Sequence, residues 1–184
     1  MMKITKAVVR RMSLDFKVGF RTSFGLSTTK DFSIVELHDS DGNVGYGACS
    51  AFMRPWYNEE TTMGALFVVK EYLIPSLFEA GDFKDPEWFF DHTGWIRRNR
   101  MARASVDCAL WELYSKELGI PEYKALGGVR DEIEAGVSLG IEDTPDKLLH
   151  TIEKYMAQGY RRVKCKIKPG YDINYLRAVR KEYG

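Results

Sequence analysis

Three lysines alternate with apolar residues in the stretch 163-VKCKIKPGYD-172, which then enters a Pro-Gly turn. The lysines are Lys164, Lys166 and Lys168, and the apolar residues beside them are Val163, Cys165 and Ile167. Because a strand sends alternate side chains to opposite faces, one face is apolar and the other carries three ammonium groups. A face with three ammonium groups can line a functional site or simply meet solvent. The alternative is a half-solvated edge strand, where lysines discourage pairing with other strands.

The segment that precedes the lysines predicts a β-α-β unit. In 132-EIEAGVSLGI-141 bulky and small residues alternate, so one face of the predicted strand is small. The bulky residues are Ile133, Val137, Leu139 and Ile141, and the small ones are Gly136, Ser138 and Gly140. Thr144 and Pro145 then provide an N-cap and a first-turn proline for a helix that runs to Gln158 and ends at Gly159.

The β-α-β unit favours one of the two interpretations of the lysine strand. Such units form parallel strands with helices over the outer face, so Val163, Cys165 and Ile167 are expected to pack under helices. The lysines then face the other side, which in a closed barrel is the interior near the carboxyl ends of the strands. An eight-stranded barrel needs about 250 residues, whereas 131–184 suffices for two strand-helix pairs. We therefore expect 131–184 to be the start of an incomplete (β/α) barrel, with the remainder outside this chain.

Residues 1–130 have the pattern of an α+β domain that begins with an antiparallel meander. Segments of strand composition occur at 3–12, 31–38 and 44–50, with a turn sequence, DSDGN, before the third. The segment 16–30 contains aromatic and apolar residues among Gly, Ser and Thr without a clear period. It is therefore predicted to be a long loop between the first two strands.

Two helices are predicted in the rest of this domain. The first begins at Asn58, followed by two glutamates that suit a helix start, and runs towards Pro75. The second covers 101–119, where apolar residues recur on one face and Gly119 ends the pattern. The irregular segment 50–57 precedes the first helix and is predicted to be a second loop.

Composition excludes several classes of protein. A net charge of +1 without runs of like charge gives no footprint for nucleic acid or an anionic membrane, which leaves a small-molecule ligand or a protein partner. The start MMKITKAVVRRM is too polar for a signal peptide, and no run of about eighteen apolar residues follows, so a cytoplasmic protein is expected. Cys49, Cys108 and Cys165 are odd in number and widely spaced, which predicts buried reduced thiols and argues against a disulfide framework or a zinc site.

Taken in order along the chain, these motifs resemble the enolase superfamily, in its muconate-lactonizing branch. The resemblance lies in the helix segment 101-MARASVDCALWELYSKELGIPEYKALGG-128, the strand GVSLGI and the K-x-K strand. Three further segments resemble the group of o-succinylbenzoate synthases and N-acylamino acid racemases: 19-GFRTSFG-25, 53-MRPWYNEE-60 and 159-GYRRVKCKIKPGYDINYLRAVRKEYG-184. The resemblance spans the whole chain and implies an α+β N-terminal capping domain over 1–130, followed by the first units of a (β/α) barrel.

The resemblance implies enzymes that bind a carboxylate substrate on Mg²⁺ and remove the proton alpha to that carboxylate. By the same resemblance Lys166, the second lysine of K-x-K, is the base, and Lys164 orients it and helps to hold the substrate carboxylate. Lys168 is expected to be only a polar residue at the strand end. The metal ligands and a second lysine of this superfamily come from later barrel strands, so no metal ligand is predicted within these residues. Asp143 and Asp172 are interpreted as capping or dipole partners at helix starts.

Five further residues match positions that line or enclose the substrate in this superfamily. Ser138 lies on the small face of the strand before the lysines, although a small residue that fills the barrel interior is an alternative. The other four are aromatic residues of the two predicted loops, each of which could instead be a core aromatic: Phe20, Phe24, Phe52 and Tyr57.

Three functions remain open at this point. The leading one is o-succinylbenzoate synthase, a carbon-oxygen lyase that dehydrates its substrate in menaquinone biosynthesis. The alternative is an N-acylamino acid racemase or a related epimerase, which shares the proton abstraction and differs in the fate of the intermediate. A non-catalytic binding module is the third, and it does not account for three alternating lysines covered by a helix unit. The resemblance also implies a homo-oligomer in the complete form, and an inactive piece if these residues stand alone.

Overall fold

The computed structural model describes all 184 residues, which form two compact units. The first unit contains Met1–Leu14 and Asp31–Val129, and the second contains Asp15–Lys30 and Arg130–Gly184. The predicted fold class is confirmed, since an antiparallel sheet with helices is followed by the first strands and helices of an incomplete barrel. The domain boundary at residue 130 stays a prediction, because the segment Asp15–Lys30 joins the second unit rather than the first.

Four strands form the antiparallel sheet in the order β3-β2-β1-β4. They are β1 (Met2–Thr22), β2 (Gly25–Asp39), β3 (Val44–Cys49) and β4 (Asp82–Phe83). The predicted turn between β2 and β3 is present, and Asp39 Oδ1 stabilises it by accepting hydrogen bonds from the amides of Asp41 and Asn43.

The predicted loop over 16–30 is wrong, because β1 continues to Thr22 and β2 starts at Gly25. These residues form the end of a long hairpin. Most of their side chains are exposed on both faces of the hairpin. All residues from Arg11 to Gly19 are exposed. A strand that buries neither face has no alternation of apolar and polar residues, so its period cannot be seen in the sequence.

The helices of the first unit begin and end at clear signals. They are α1 (Thr62–Val68), a π-helical turn (Val69–Leu73), α2 (Ile74–Ala80), α3 (Pro86–His92), α4 (Arg100–Leu118) and α5 (Glu122–Ala125). The predicted start at Asn58 is wrong, because Thr61 is the N-cap and its side chain accepts from the amide of Gly64. Asn58 instead accepts from the amide of Glu60, which makes a local turn before the helix.

Helix α4 packs directly on strand β3 in the core of the first unit. Its buried face is the predicted one, and the residues are Ala102, Val106, Ala109, Leu110 and Leu113. A Cβ atom at Gly45 or Gly47 would lie 2.0 Å from the carbonyl oxygen of Ala109 or 1.8 Å from that of Ser105. The two glycines are therefore required for the helix to approach the strand this closely.

The second unit contains the predicted β-α-β unit. Its elements are β5 (Gly136–Leu139), α6 (Pro145–Met156), β6 (Arg162–Cys165) and α7 (Ile173–Tyr183), and β5 pairs with β6 in parallel. Leu139, Leu148, Ile152 and Tyr175 form its core, against which Val163 and Cys165 pack as predicted. Ile167 is exposed, contrary to prediction, because β6 ends at Cys165 before reaching it.

The three cysteines are free, but only one of them is buried. Cys49 lies in the core of the first unit, Cys165 is half-buried and Cys108 is exposed on α4, so the prediction of buried thiols holds fully for Cys49 alone. Among the helices, none combines the length and the apolar character that crossing a membrane requires.

Candidate active site

Ser138 and Lys164 lie side by side on one face of the β5-β6 sheet. They are partners in the parallel register, and both are exposed. The next pair along the strands, Leu139 and Cys165, packs into the core on the other face. The amide of Lys166 donates to the carbonyl oxygen of Leu139 at 3.3 Å, so the extended conformation continues one residue past β6. Lys166 therefore returns to the face that carries Lys164.

Lys166 is covered by an aromatic ring from the end of the β1-β2 hairpin. Its Nζ lies 4.8 Å from the centre of the Phe20 ring, which is within the range of a cation–π contact. Both side chains are half-buried, whereas Lys164 is exposed. The structure thus brings together the predicted base and one of the predicted aromatic residues.

Lys168 has a different environment from the other two lysines. Its Nζ lies 4.3 Å from the centre of the Tyr171 ring, and its carbonyl oxygen accepts from the amide of Tyr171 at 2.8 Å. It belongs to the Pro-Gly turn that leads into α7, where Asp172 caps the helix by accepting from the amide of Ile173. Only Lys164 and Lys166 belong to the extended strand.

The hairpin end is attached to the segment after β5 through Arg21. The amide of Ile141 donates to the carbonyl oxygen of Arg21 at 3.1 Å. A Cβ atom at Gly140 would lie 3.2 Å from both the nitrogen and the oxygen of Arg21, so the small residue permits this close approach. The guanidinium of Arg21 donates to Asp143 Oδ1, and Lys147 Nζ lies 3.1 Å from Asp143 Oδ2.

Asp143 forms ion pairs with Arg21 and Lys147 and is not the N-cap of α6. Of the two roles expected for it, helix cap or dipole partner, the cap is therefore wrong. The N-cap of α6 is Thr144, whose hydroxyl accepts from the amide of Lys147 at 3.2 Å. Hydrogen bonds from Lys147 and Arg21 hold the pKa of Asp143 below its usual value, and the positive charges of both groups act in the same direction.

A cavity of about 380 Å³ lies beside these residues. Its walls come from the hairpin end, the β5 segment and α6: Val18, Gly19, Phe20, Arg21, Leu26, Ser138, Leu139, Gly140, Ile141, Glu142, Asp143, Thr151 and Tyr155. The cavity therefore lies between the hairpin end and the segment from β5 to α6. Lys164 and Lys166 are not among its lining residues, and the lysine face lies next to the cavity rather than inside it.

The remaining predicted aromatic residues occupy two places. Phe24 lies at the tip of the hairpin in the second unit and is 75% exposed. Phe52 and Tyr57 belong to the first unit, where they form a cluster with Trp56 at ring-centre distances of 4.5 to 5.8 Å. The irregular segment predicted over 50–57 is present. The substrate-enclosing roles of these residues stay predictions.

The positioning roles of three residues are not predicted from the sequence, although Glu60 is one of the two glutamates expected at the first helix start. Arg21 and Trp56 lie inside the motifs GFRTSFG and MRPWYNEE, so the family resemblance of these motifs could have identified both residues. Glu60 is 6% exposed, and its carboxylate accepts from the amides of Met101 and Ala102 at the start of α4. It thereby fastens the carboxyl end of the 50–57 segment to that helix. No group of three or more His, Cys, Asp and Glu side chains in the chain could hold a metal ion.

Comparison with known proteins identifies relatives that belong to one family. Residues 4–127 match the mandelate racemase / muconate lactonizing enzyme N-terminal domain. The chain is 45% identical to an o-succinylbenzoate synthase from Geobacillus kaustophilus, over 98% of its own length and 48% of that protein. It is 37% identical to an N-succinylamino acid racemase from Thermus thermophilus, over 99% of its own length and 49% of that protein.

Solved structures show the same fold. A member of the enolase superfamily from Listeria innocua superposes with a TM-score of 0.92 at 37% identity, covering 100% of this chain and 49% of that one. A dipeptide epimerase from Enterococcus faecalis, solved with Mg and the dipeptide L-Leu-L-Tyr, superposes with a TM-score of 0.84 at 25% identity, covering 100% and 51%. The chain spans about half the length of the relatives it matches.

Proposed function

Because the chain belongs to the mandelate racemase / muconate lactonizing enzyme family of the enolase superfamily, we propose that it supplies the base for removing a proton alpha to a carboxylate. The observation that carries the proposal is the position of Lys166, which leaves the end of a parallel strand on the same face as Lys164 and beneath the Phe20 ring. A base must be held within reach of the proton that it removes, and this ring restricts where the flexible lysine can go.

The neighbouring residues have distinct roles in this proposal. Lys166 accepts the alpha proton on Nζ. Lys164 contributes a second positive charge on the same face, which attracts the substrate carboxylate and orients it towards Lys166. Ser138 lies opposite Lys164 in the register and supplies a small hydroxyl side chain, which leaves room for a substrate over the sheet.

The specific reaction that we propose is the dehydration that gives o-succinylbenzoate, in a cytoplasmic enzyme of menaquinone biosynthesis. Its support is the number of relatives named o-succinylbenzoate synthase, including those from Geobacillus stearothermophilus and Bacillus subtilis at 42% and 37% identity. The substrate would be a small carboxylate. A homo-oligomeric complete form stays a prediction.

The second candidate is racemization of an N-succinylamino acid. Its support is the similarity to two proteins named N-succinylamino acid racemase, from Thermus thermophilus and from an Amycolatopsis species, the latter at 33% identity. Racemization begins with the same proton abstraction. It then needs a proton returned to the opposite face, whereas dehydration expels a leaving group from the intermediate.

The proposal includes a Mg²⁺ ion whose protein ligands lie outside this chain. The side chains present form no group of three or more metal-binding residues, so none of them is proposed as a ligand. The Mg-bound dipeptide epimerase from Enterococcus faecalis, which shares this fold over the length of the chain, supports a metal in the complete enzyme.

A chimera tests the proposal directly. Residues 1–184 would replace the matching segment of the Geobacillus kaustophilus o-succinylbenzoate synthase, which provides the rest of a working enzyme. We expect the chimera to form o-succinylbenzoate and to exchange the alpha proton of its substrate in deuterium oxide. Incubation with N-succinylamino acids tests the racemase candidate in the same preparation. A chimera that folds like the parent enzyme but exchanges neither substrate would reject the enzymatic proposal and favour a binding module.

A further inference from the structure

Arg21 connects two parts of the second unit that are far apart in sequence. It follows Phe20 directly on β1, and its main chain and its side chain both bind the segment after β5. Adjacent residues of a strand point to opposite sides, so fixing Arg21 against Gly140 and Asp143 also determines where the Phe20 ring points. That ring lies over Lys166.

We propose that Arg21 and Asp143 form a latch that positions the Phe20 ring over Lys166. Neither residue touches the reacting atoms in this proposal, so both are positioning residues that act through the hairpin. The latch itself rests on the geometry of this chain. Its consequence for catalysis rests on the proposed function, in which Lys166 is the base.

The side chains around the hairpin end are mostly exposed, which makes the latch important locally. The residues from Asp15 to Gly19 are exposed, as are Ser23 to Leu26 around the tip. Segments with exposed side chains and few buried contacts open locally without unfolding the rest of the protein. Arg21 accepts the main-chain hydrogen bond from Ile141 and forms the ion pair with Asp143. Local opening of the hairpin end would therefore require both contacts of this residue to break.

The exposure of the ion pair decides which measurement is informative. The Arg21 and Asp143 side chains are 45% and 54% exposed, and pairs this accessible to water add little to global stability. The latch should therefore be visible in the accessibility of Lys166 and not in the unfolding curve. Hydrogen bonds from Lys147 and Arg21 lower the pKa of Asp143, which favours the ionised carboxylate that both partners bind.

Lys147 provides a matched control, because it binds the other oxygen of the same carboxylate without touching the hairpin. Lys164 provides an internal reference, since it is exposed and lies two residues before Lys166. Gly140→Ala provides an independent steric variant, because its Cβ would press on the main chain of Arg21 at 3.2 Å.

The experiment is competitive amine labelling of the 184-residue chain. A limiting amount of acetic anhydride labels the lysines, and mass spectrometry gives the ratio of acetylation at Lys166 to that at Lys164. We expect Arg21→Ala and Asp143→Ala to raise this ratio by about two- to fivefold, the range that loss of an exposed ion pair gives for a local equilibrium. Gly140→Ala should raise it as well.

Two conservative variants separate a latch from a general loss of structure. Arg21→Lys and Asp143→Glu keep the charges and should restore most of the protection of Lys166, whereas Lys147→Ala should leave the ratio at its original value. An unchanged ratio in both Arg21→Ala and Asp143→Ala would overturn the latch. An equal rise in Lys147→Ala would also overturn it, because the effect would then follow from any change near Asp143.

The labelling result does not depend on catalysis, so the latch and the proposed function can fail separately. In the chimera, a latch that serves an active Lys166 predicts a lower kcat for proton exchange in Arg21→Ala, with rescue by Arg21→Lys. Protection in the labelling assay together with an inactive parent chimera would keep the latch and reject the function. Normal activity of Arg21→Ala together with a raised labelling ratio would keep the latch and remove its role in catalysis.

Discussion

Lys166 Nζ lies 4.8 Å from the centre of the Phe20 ring. This contact connects a residue near the start of the chain with one near its end. The ring comes from a hairpin and the lysine from a parallel strand, so the contact depends on both elements having their observed lengths. Had 16–30 been a loop, the direction of Phe20 would be unspecified. Because β1 continues through Phe20 to Thr22, the strand geometry fixes the face of the hairpin from which the Phe20 ring projects.

The first prediction concerns the base. Lys166→Ala in the chimera should lower alpha-proton exchange by about 10²–10⁴-fold, the usual contribution of a positioned general base, while substrate binding persists. Exchange into deuterium oxide measured by NMR reports the loss, and calorimetric titration with substrate reports the binding. Lys168→Ala is the control, since Lys168 belongs to the Pro-Gly turn and its Nζ lies over the Tyr171 ring, and this variant should exchange at nearly the parent rate. Parent-like exchange in Lys166→Ala would reassign the base.

The second prediction concerns the titration of Asp143. Its pKa in the folded chain is lowered by Lys147 and Arg21, so the pairing contributes stability above the ordinary aspartate pKa of about 3.9 and loses it as the pH falls through the folded value. Lys147→Ala and Arg21→Ala should each raise this pKa, because each removes a hydrogen bond, that of Lys147 being the largest single cause, together with a nearby positive charge. Carboxyl carbon NMR titration measures both changes. Equal pKa values in the parent and in both variants would mean that these contacts do not form in solution.

Much of the fold is predictable because the signals are local. Thr144 and Pro145 start α6 as predicted, and Gly119 ends α4 in the left-handed conformation with φ of +66°. A cap needs only its own side chain and the next few amides, so sequence spacing suffices to identify it. The alternation of Val163 and Cys165 with lysines likewise places the two faces of β6 correctly.

The parts that the sequence misses depend on distant partners. The hairpin end buries neither face, and Arg21 reveals its role only beside Gly140 and Asp143. Glu60 follows the expected cap residue but binds the start of α4, a helix that begins forty residues later in the sequence. No spacing rule connects such positions, since tertiary packing selects the partner. The roles of the lysines come from resemblance, because alternation alone does not distinguish a base from a surface charge.

The third prediction concerns the buried carboxylate of Glu60. Glu60→Ala leaves the amides of Met101 and Ala102 without their partner at the positive end of a 19-residue helix. Hydrogen bonds to a buried charged group contribute more than ordinary ones, so the free energy of unfolding should fall by about 2 kcal/mol. Urea denaturation of the chain measures this change. Glu59→Ala is the control, because Glu59 is 53% exposed in a long 3.9 Å pair with Arg98, and it should cost less than about 1 kcal/mol. A Glu60→Ala loss no larger than that of the control would show that water replaces the carboxylate as the cap.

The last prediction concerns substrate choice. Phe24 and Tyr57 are 75% and 65% exposed, so replacing either ring by alanine removes an aromatic surface without opening a cavity in the core. If these rings enclose the substrate, Phe24→Ala or Tyr57→Ala in the chimera should change the ratio of kcat/KM for dehydration to kcat/KM for N-succinylamino acid racemization. A lost aromatic contact is worth about 1–3 kcal/mol, so the ratio should move by roughly tenfold where one substrate uses the ring more than the other.

Phe67→Ala is the matched control for both variants, because Phe67 is also an exposed aromatic, at 56%, but lies on α1 beside Tyr72 and outside the two segments concerned. It should leave the ratio unchanged. Alpha-proton exchange should continue in all three variants, since Lys166 and its strand are intact, and its rate serves as the measure of the proton-transfer step. A proportional fall of both activities in Phe24→Ala and Tyr57→Ala would mean that the rings serve closure over any substrate, because a residue that selects between two substrates must stabilise one transition state more than the other.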